Sequence, residues 1–261
     1  MMKTKIIIGG ILGSIGLVSF FLWSTSVPEE REMGESAPVV ALESVVVTAP
    51  PADIFEEPLQ PEPLLPVSFL IAGVPFTVQA PAGQWQDPLY QDACEEASLA
   101  MARAWVEGET LTVTGVTEEI AKLAVFEKKQ FGHAVDTSIQ DTTWLLENYH
   151  GIGTGVIERD ITIDTIKRAL ASEKIVIVPT DGRKLKNPNF KQPGPARHML
   201  VITGYESETK EFIVNDPGTR KGEGYRYGED ILYGAIIDYE TGYHVPLTST
   251  DKVMLVVGRE E

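Results

Sequence analysis

A change of composition near residue 66 confines any fold to the later part of the chain. Lys3 and Lys5 precede an apolar run from Ile6 to Trp23, and a stretch rich in proline, glutamate and small residues follows over Val27–Pro66, for example Pro58-Leu59-Gln60-Pro61-Glu62-Pro63. Proline removes backbone donors and clustered charge repels itself, so the second stretch reads as an extended, disordered linker. The apolar run is about long enough to cross a bilayer core. It also has the basic-then-apolar order of a secretory signal, with Ser24-Thr25-Ser26 as a small-residue cleavage site. Lysines before it and glutamates after it place the N-terminus inside and the remainder outside. The expected organisation is a signal peptide or N-terminal membrane anchor over 1–26, a linker over 27–66, and one folded domain over 67–261. The domain is then extracytoplasmic, either membrane-anchored or secreted.

Composition excludes several functions. The chain has 261 residues and a formal net charge of −16, which argues against nucleic acid, because phosphate binding needs a basic footprint. Cys94 is the only cysteine, so neither an internal disulfide nor a thiolate zinc cluster can form. The four histidines, His133, His150, His198 and His244, form no His-x-x-x-His pair. No cofactor and no structural metal are expected. His133, His150 and His244 read as structural or surface residues, and Trp85, Trp105 and Trp144 as core.

The folded part changes character along its length. Ser68–Ala72 and Val74–Val78 read as strands. Helices are expected from Cys94 to just before Gly108, over Thr117–Gln130, over Ser138–Tyr149 and over Asp164–Ser172. Ser138 with Asp141 fits an N-terminal cap, and Gly151 a stop. Ile175–Pro179, His198–Gly204, Glu211–Asn215 and Lys252–Val257 are short β-branched runs bounded by turns. Helices first and strands later mean an α+β fold.

Three positions carry nucleophilic chemistry. Ala97, Ala100, Met101, Ala104 and Trp105 recur at helical spacing behind Cys94. Asp92 and Glu95 could close a capping box, leaving Cys94 in the first turn. The positive end of a helix favours a thiolate, but Glu95 and Glu96 oppose it, so this thiol needs a basic partner. His198 stands at the mouth of one strand and Asp216 at the exit of the next, with the turn Glu206–Lys210 between them. If the two strands pair as a hairpin, the aspartate can hold one imidazole nitrogen while the other faces the cysteine.

The order of Cys94 at a helix start, then His198-Met199-Leu200-Val201-Ile202-Thr203-Gly204-Tyr205, then Asn215-Asp216-Pro217-Gly218-Thr219-Arg220, resembles the papain-like cysteine peptidases of the double-glycine type, which process bacteriocin leaders, and in particular their lone-domain bacterial relatives. Val74-Pro75-Phe76-Thr77-Val78-Gln79-Ala80-Pro81 is similar to the segment that opens their domain. The resemblance implies a papain-like fold, with a nucleophile helix packed on an antiparallel β-sheet. It implies Cys94 as nucleophile, His198 as general base, Asp216 as its orienter and Gln79 as oxyanion-hole donor, with Gln91 as the rival for that last role and Gln84 and Gln86 also upstream of the cysteine. Glu95 departs from the glycine that many relatives carry after the cysteine. No transporter segments follow, so leader processing does not carry over.

The expected function is thiol-dependent cleavage of peptide or amide bonds through a Cys-His-Asp triad and an acyl-enzyme, on a peptide or protein substrate. An acyltransferase or transpeptidase would use the same residues. The alternative of another class is a papain-like domain without turnover that binds peptides or cell-wall material. The loop Thr180–Arg197 carries Arg183, Lys184, Lys186, Lys191 and Arg197 in an otherwise acidic chain. It is either a solvated loop or a lid that reads an acidic side chain or a C-terminal carboxylate.

Overall fold

The computed structural model describes residues 65–134 and 136–259. The signal or anchor segment and nearly all of the linker lie outside the described residues. Among those described, no helix is long and apolar enough to cross a membrane.

The elements run in the order β1 (Ser68–Leu70), α1 (Pro88–Gln91), α2 (Cys94–Glu107), α3 (Val113–Phe131), α4 (Ile139–Asn148), β2 (Gly155–Arg159), α5 (Ile163–Ala171), β3 (Ile175–Thr180), β4 (His198–Glu206), β5 (Glu211–Asn215), β6 (Tyr225–Gly228), α6 (Glu229–Ala235) and β7 (Val253–Val257). The strands form one antiparallel sheet in the order β2-β7-β3-β4-β5-β6, with β1 added to β4. Every residue of β3 and β7 is buried, as is nearly all of β4. Strands buried at successive positions are covered on both faces, which is why they read as unbroken apolar runs rather than alternating ones. The α+β expectation is met, and α2 packs on β4.

Helix α2 is buried almost all round, from Cys94 to Trp105 except Arg103. Its run of small residues (Ala97, Ser98, Ala100, Ala102, Ala104) lets neighbouring elements approach closely. A helix buried on nearly every side belongs in the interior of a domain, and this fixes Cys94 at the start of a well-packed rod. Gly108, in the left-handed conformation at φ 70°, ends it and donates to the Ala104 and Trp105 carbonyls.

Hairpin β4–β5 sets the other half of the site. Val201 pairs with Asn215, and a bulge at Thr203 shifts the register before Gly204 pairs with Ile213. Gly204 must be glycine because β1 passes over it: a Cβ there would lie 2.4 Å from the Phe69 carbonyl oxygen.

Several expectations are corrected. Val74–Val78 is not a strand. It is an irregular segment held by the Asn215 side-chain amide, 3.5 and 3.3 Å from the Val74 and Pro75 carbonyls. Pro75 has no N–H to give to a ladder. Helix α3 starts at Val113, earlier than Thr117, because Thr112 caps it by accepting from the Gly115 N–H. The glycine inside that first turn hid the start. Asp92 does not cap α2: the N-cap is Ala93, with no side-chain bond. Ser138 does cap α4 through the Asp141 N–H. Elements α1, β2, β6 and α6 were not foreseen, being short and, for β2 and β6, carrying a glycine.

Candidate active site

Asp216 leaves β5 directly beside the start of β4. His198 Nε2 lies 2.7 Å from Asp216 Oδ1, and both side chains are buried. The ring is fixed on several sides. Phe190 meets it edge-on at 5.2 Å between centroids, and a Cβ on Gly218 would lie 2.8 Å from its Cε1. With Nε2 engaged by the carboxylate, Nδ1 is the nitrogen free for chemistry.

The carboxylate is itself well held. Tyr227 Oη donates to Asp216 Oδ2 at 2.6 Å, the Gly218 N–H donates to Oδ1 at 3.0 Å, and the Asn187 side-chain amide approaches Oδ2 at 3.5 Å while donating to Tyr227 Oη at 2.7 Å. Burial alone would raise the Asp216 pKa. The charge and hydrogen bond of His198, then the bonds from Tyr227 and Gly218, outweigh it and leave the pKa below the ordinary carboxylate value. Asn187 and Tyr227 were missed from the sequence. A lone asparagine in a long loop and a tyrosine in a four-residue strand carry no local signature, and their role exists only once loop and strand meet. Gly222 is needed here too, since a Cβ on it would sit 1.8 Å from the Asp216 carbonyl oxygen.

Cys94 occupies the first turn of α2 and lines the same cleft as His198, a cavity of about 790 Å³. That volume suits a substrate segment of several residues. The thiol is not directed at His198. Its Sγ donates to Glu95 Oε2 at 2.9 Å, and Glu95 Oε1 accepts from Tyr239 Oη at 2.7 Å. Burial, then the charge and hydrogen bond of Glu95, push the thiol well above its ordinary pKa, against a hydrogen bond from the Met199 N–H. Glu95 fails to cap because it turns inward to this pair.

Gln79 is buried and also lines the cleft. Its amide donates to the Tyr90 carbonyl at 3.0 Å and to the Gln91 carbonyl at 2.6 Å. Both N–H bonds are thereby committed, so in this arrangement Gln79 holds the turn ahead of α2 and offers no spare donor. Gln91 and Gln86 are exposed and line the cleft; Gln84 is half-buried and does not. The first hydrogen bond of α2 runs from the Ala97 N–H to the Ala93 carbonyl at 3.1 Å. The Cys94 N–H precedes it and is available to an oxyanion.

Asp92, Asp136 and His244 bring three candidate ligand atoms within 4.8 Å of one another. They read as an ion-pair network rather than a metal centre. Arg197 Nε lies 3.3 Å from Asp136 Oδ2, and His244 Nδ1 3.2 Å from the same oxygen, so fixed charge already stands where a cation would be held. The His150 side chain is buried, and this pushes its pKa down to about 4. The long loop is not merely solvated. Leu185, Asn187 and Phe190 are buried, and Asn189–Pro195 with Arg197 line the cleft.

Residues 71–240 match the sequence model of the Peptidase_C39 like family. No curated protein matches the chain. Among solved structures, a Bacillus anthracis protein described as C39-like peptidase is similar at 15% identity and a TM-score of 0.48, over 74% of this chain and 99% of that one. Xylellain, a cysteine protease from Xylella fastidiosa, is similar at 12% identity and a TM-score of 0.45, over 76% of this chain and 88% of that one. The family match spans well over half of the sequence and contains Gln79, Cys94, His198 and Asp216, and on that ground the chain belongs to the Peptidase_C39-like family, whose membership points to cysteine peptidase activity.

Proposed function

We propose that this chain is an extracytoplasmic thiol hydrolase that cleaves peptide or amide bonds with Cys94 as nucleophile, His198 as general base and Asp216 as the residue that orients it. The observation that carries this reading is the buried 2.7 Å His198–Asp216 pair, in one cleft with a cysteine at a helix N-terminus. His198 Nδ1 would take the thiol proton, Sγ would attack the carbonyl carbon, and the imidazolium would return the proton to the leaving amine. The Cys94 N–H would receive the oxyanion. His198 would then activate water to release the acyl group. The basic-then-apolar start of the chain and its proline-rich linker support a domain held or released outside the cytoplasm.

The test is incubation with a proteome-derived peptide library, read by mass spectrometry. New termini should appear with the wild-type protein and not with Cys94→Ala. Identical peptide maps from the two would overturn the reading and favour a binding domain, which the protonated, Glu95-bound thiol also suits.

The charge around the cleft supports acidic peptides as substrates. Of the five basic loop residues, Arg183 is paired with Asp181 and Arg197 with Asp136, while Lys191 lines the cleft. Arg220 and Lys221, from the turn after Asp216, line it as well. The three are exposed, with no ion pair among the described residues. The Arg220 guanidinium stands 5.8 Å from the centre of the Trp85 ring, which extends the site as a flat platform. A double variant Arg220→Glu/Lys221→Glu should lose about tenfold or more in kcat/KM on peptides with Asp or Glu near the cleaved bond. Neutral peptides should be cut as before. An equal loss on both classes would show that these charges do not select.

A further inference from the structure

The reacting sulfur has a second neighbour for which the triad has no use. Glu95 is 1% exposed, its Oε2 lies 2.9 Å from Cys94 Sγ, and its Oε1 accepts from Tyr239 Oη, a residue that follows α6. We propose that Glu95 is a catalytic carboxyl that works protonated: as the acid it donates a hydrogen bond to the Cys94 thiolate, and as the anion it keeps the proton on the thiol. This rests on the reading of Cys94 as nucleophile.

The two states follow from what the atoms can donate. When Glu95 is ionised, the short Sγ–Oε2 contact needs the proton on sulfur, and moving it to His198 would leave thiolate and carboxylate in contact, out of water. Like charges so placed cannot both persist. When Glu95 is protonated, the Sγ–H bond can break and the Nδ1–H bond of His198 form, while the Glu95 proton stays on Oε2 and turns to the thiolate. One proton moves within the site and one is held from solvent. No co-reactant is needed.

Every charged neighbour bears on this switch. Asp136, in the segment before α4, is the first carboxylate to oppose ionisation of Glu95, and it is paired with Arg197 and accepts from the His244 backbone N–H. Glu96 on α2 and Glu127 on α3 add further acidic groups behind the site, Asp92 lies at the start of α2, and His198 faces the cleft from β4. Burial, then Asp136, push Glu95 up to about 7, against the bonds from Cys94, Tyr239 and its own N–H. Burial and the Glu95 charge hold Tyr239 well above its ordinary value, so it remains a donor throughout. The thiol should therefore be reactive on the acid side of neutrality and quiet above it.

The experiment is the rate of iodoacetamide alkylation of the full-length protein from about pH 4.5 to 9. Cys94 is the only cysteine, so the label reports one site. The wild-type rate should fall as pH rises through about 7, approaching tenfold per unit. In Glu95→Gln the amide oxygen can keep the Tyr239 bond while the NH2 faces sulfur at every pH. Its rate should not fall, and at pH 8 it should exceed the wild type by about tenfold or more. Tyr239→Phe removes a donor to the carboxylate and should move the falling limb to higher pH, which keeps the proposal testable if Glu95→Gln does not fold. A reactive thiol whose profile is unchanged in these variants would overturn the role of Glu95 alone. A folded protein whose thiol is inert across the range in wild type and both variants would overturn the nucleophile assignment, and this role with it.

Discussion

His198→Ala should lower kcat/KM by roughly 10⁴-fold while leaving a folded but acid-altered protein. The activity loss follows from removing the acceptor of the thiol proton and the acid that protonates the leaving group. The stability effect follows from what remains. Asp216 keeps Tyr227, Asn187 and the Gly218 N–H, but it loses its 2.7 Å partner while still fully buried. In the wild type the Asp216 pKa is depressed, so its contribution to stability is present above the unfolded value of about 3.9 and is lost as pH falls through the folded value. Without His198, burial is the largest remaining influence and pushes the carboxyl upward. The variant should then be weakest at neutral pH and recover toward acid. A buried ion left without its partner costs about 3–5 kcal/mol, reduced here by the three remaining donors. His198→Gln separates the two effects, because the glutamine amide can place a donor where Nε2 was. It should restore much of the thermal stability and none of the turnover. Recovery of activity in His198→Gln would remove His198 from the role of base.

The pair that drives that prediction was legible from chain direction alone. A strand that begins with histidine and a following strand that ends with aspartate bring the two together whenever they form a hairpin, and β4 and β5 do so. Cys94 at the start of a buried helix was legible for a similar reason, since the helical spacing behind it continues for three turns. What sequence reasoning lost was the direction of side chains with two available partners. Asp92 and Glu95 have the spacing of a capping box, worth about 1 kcal/mol. In the fold, Tyr239 and the thiol offer Glu95 a pair of hydrogen bonds, and Asp92 is drawn into the cluster with Asp136 and His244. The thiol is the neighbouring residue, but Tyr239, Asp136 and His244 are all more than 40 residues away along the chain, so no local rule could weigh them. Gln79 shows the same limit. Its place beside the cleft was readable from the family pattern, whereas the commitment of its amide to Tyr90 and Gln91 depends on how α1 packs.

Glu127→Leu should raise thermal stability at neutral pH and remove part of the alkaline decline of the wild type, the raised carboxyls of Glu95 and Glu96 contributing the rest. Glu127 is 1% exposed on α3, and its Oε1 has no hydrogen-bond partner among the described residues. Burial first, then the charge of Glu95, raise its pKa to about 9, and its own charge raises that of the buried Glu96 on α2. The unfolded chain releases the proton near pH 4.3, so the folded state is favoured in mild acid and loses stability as pH rises from there toward about 9. From the unfolded value up to pH 7 this corresponds to roughly 4 kcal/mol before the interior relaxes, or about 8–16 °C in melting temperature for a domain of this size. Leucine removes that titration and adds apolar burial against α2. Glu127→Gln is the control, since it removes the titration without adding an apolar side chain. Melting temperatures from pH 4.5 to 9 should fall in the wild type and fall less steeply in both variants. A slope unchanged in Glu127→Gln would place the alkaline sensitivity elsewhere, with Glu96 and Glu95 the remaining buried acids beside the nucleophile. A carboxyl with no hydrogen-bond partner for one oxygen is a standing cost to the fold.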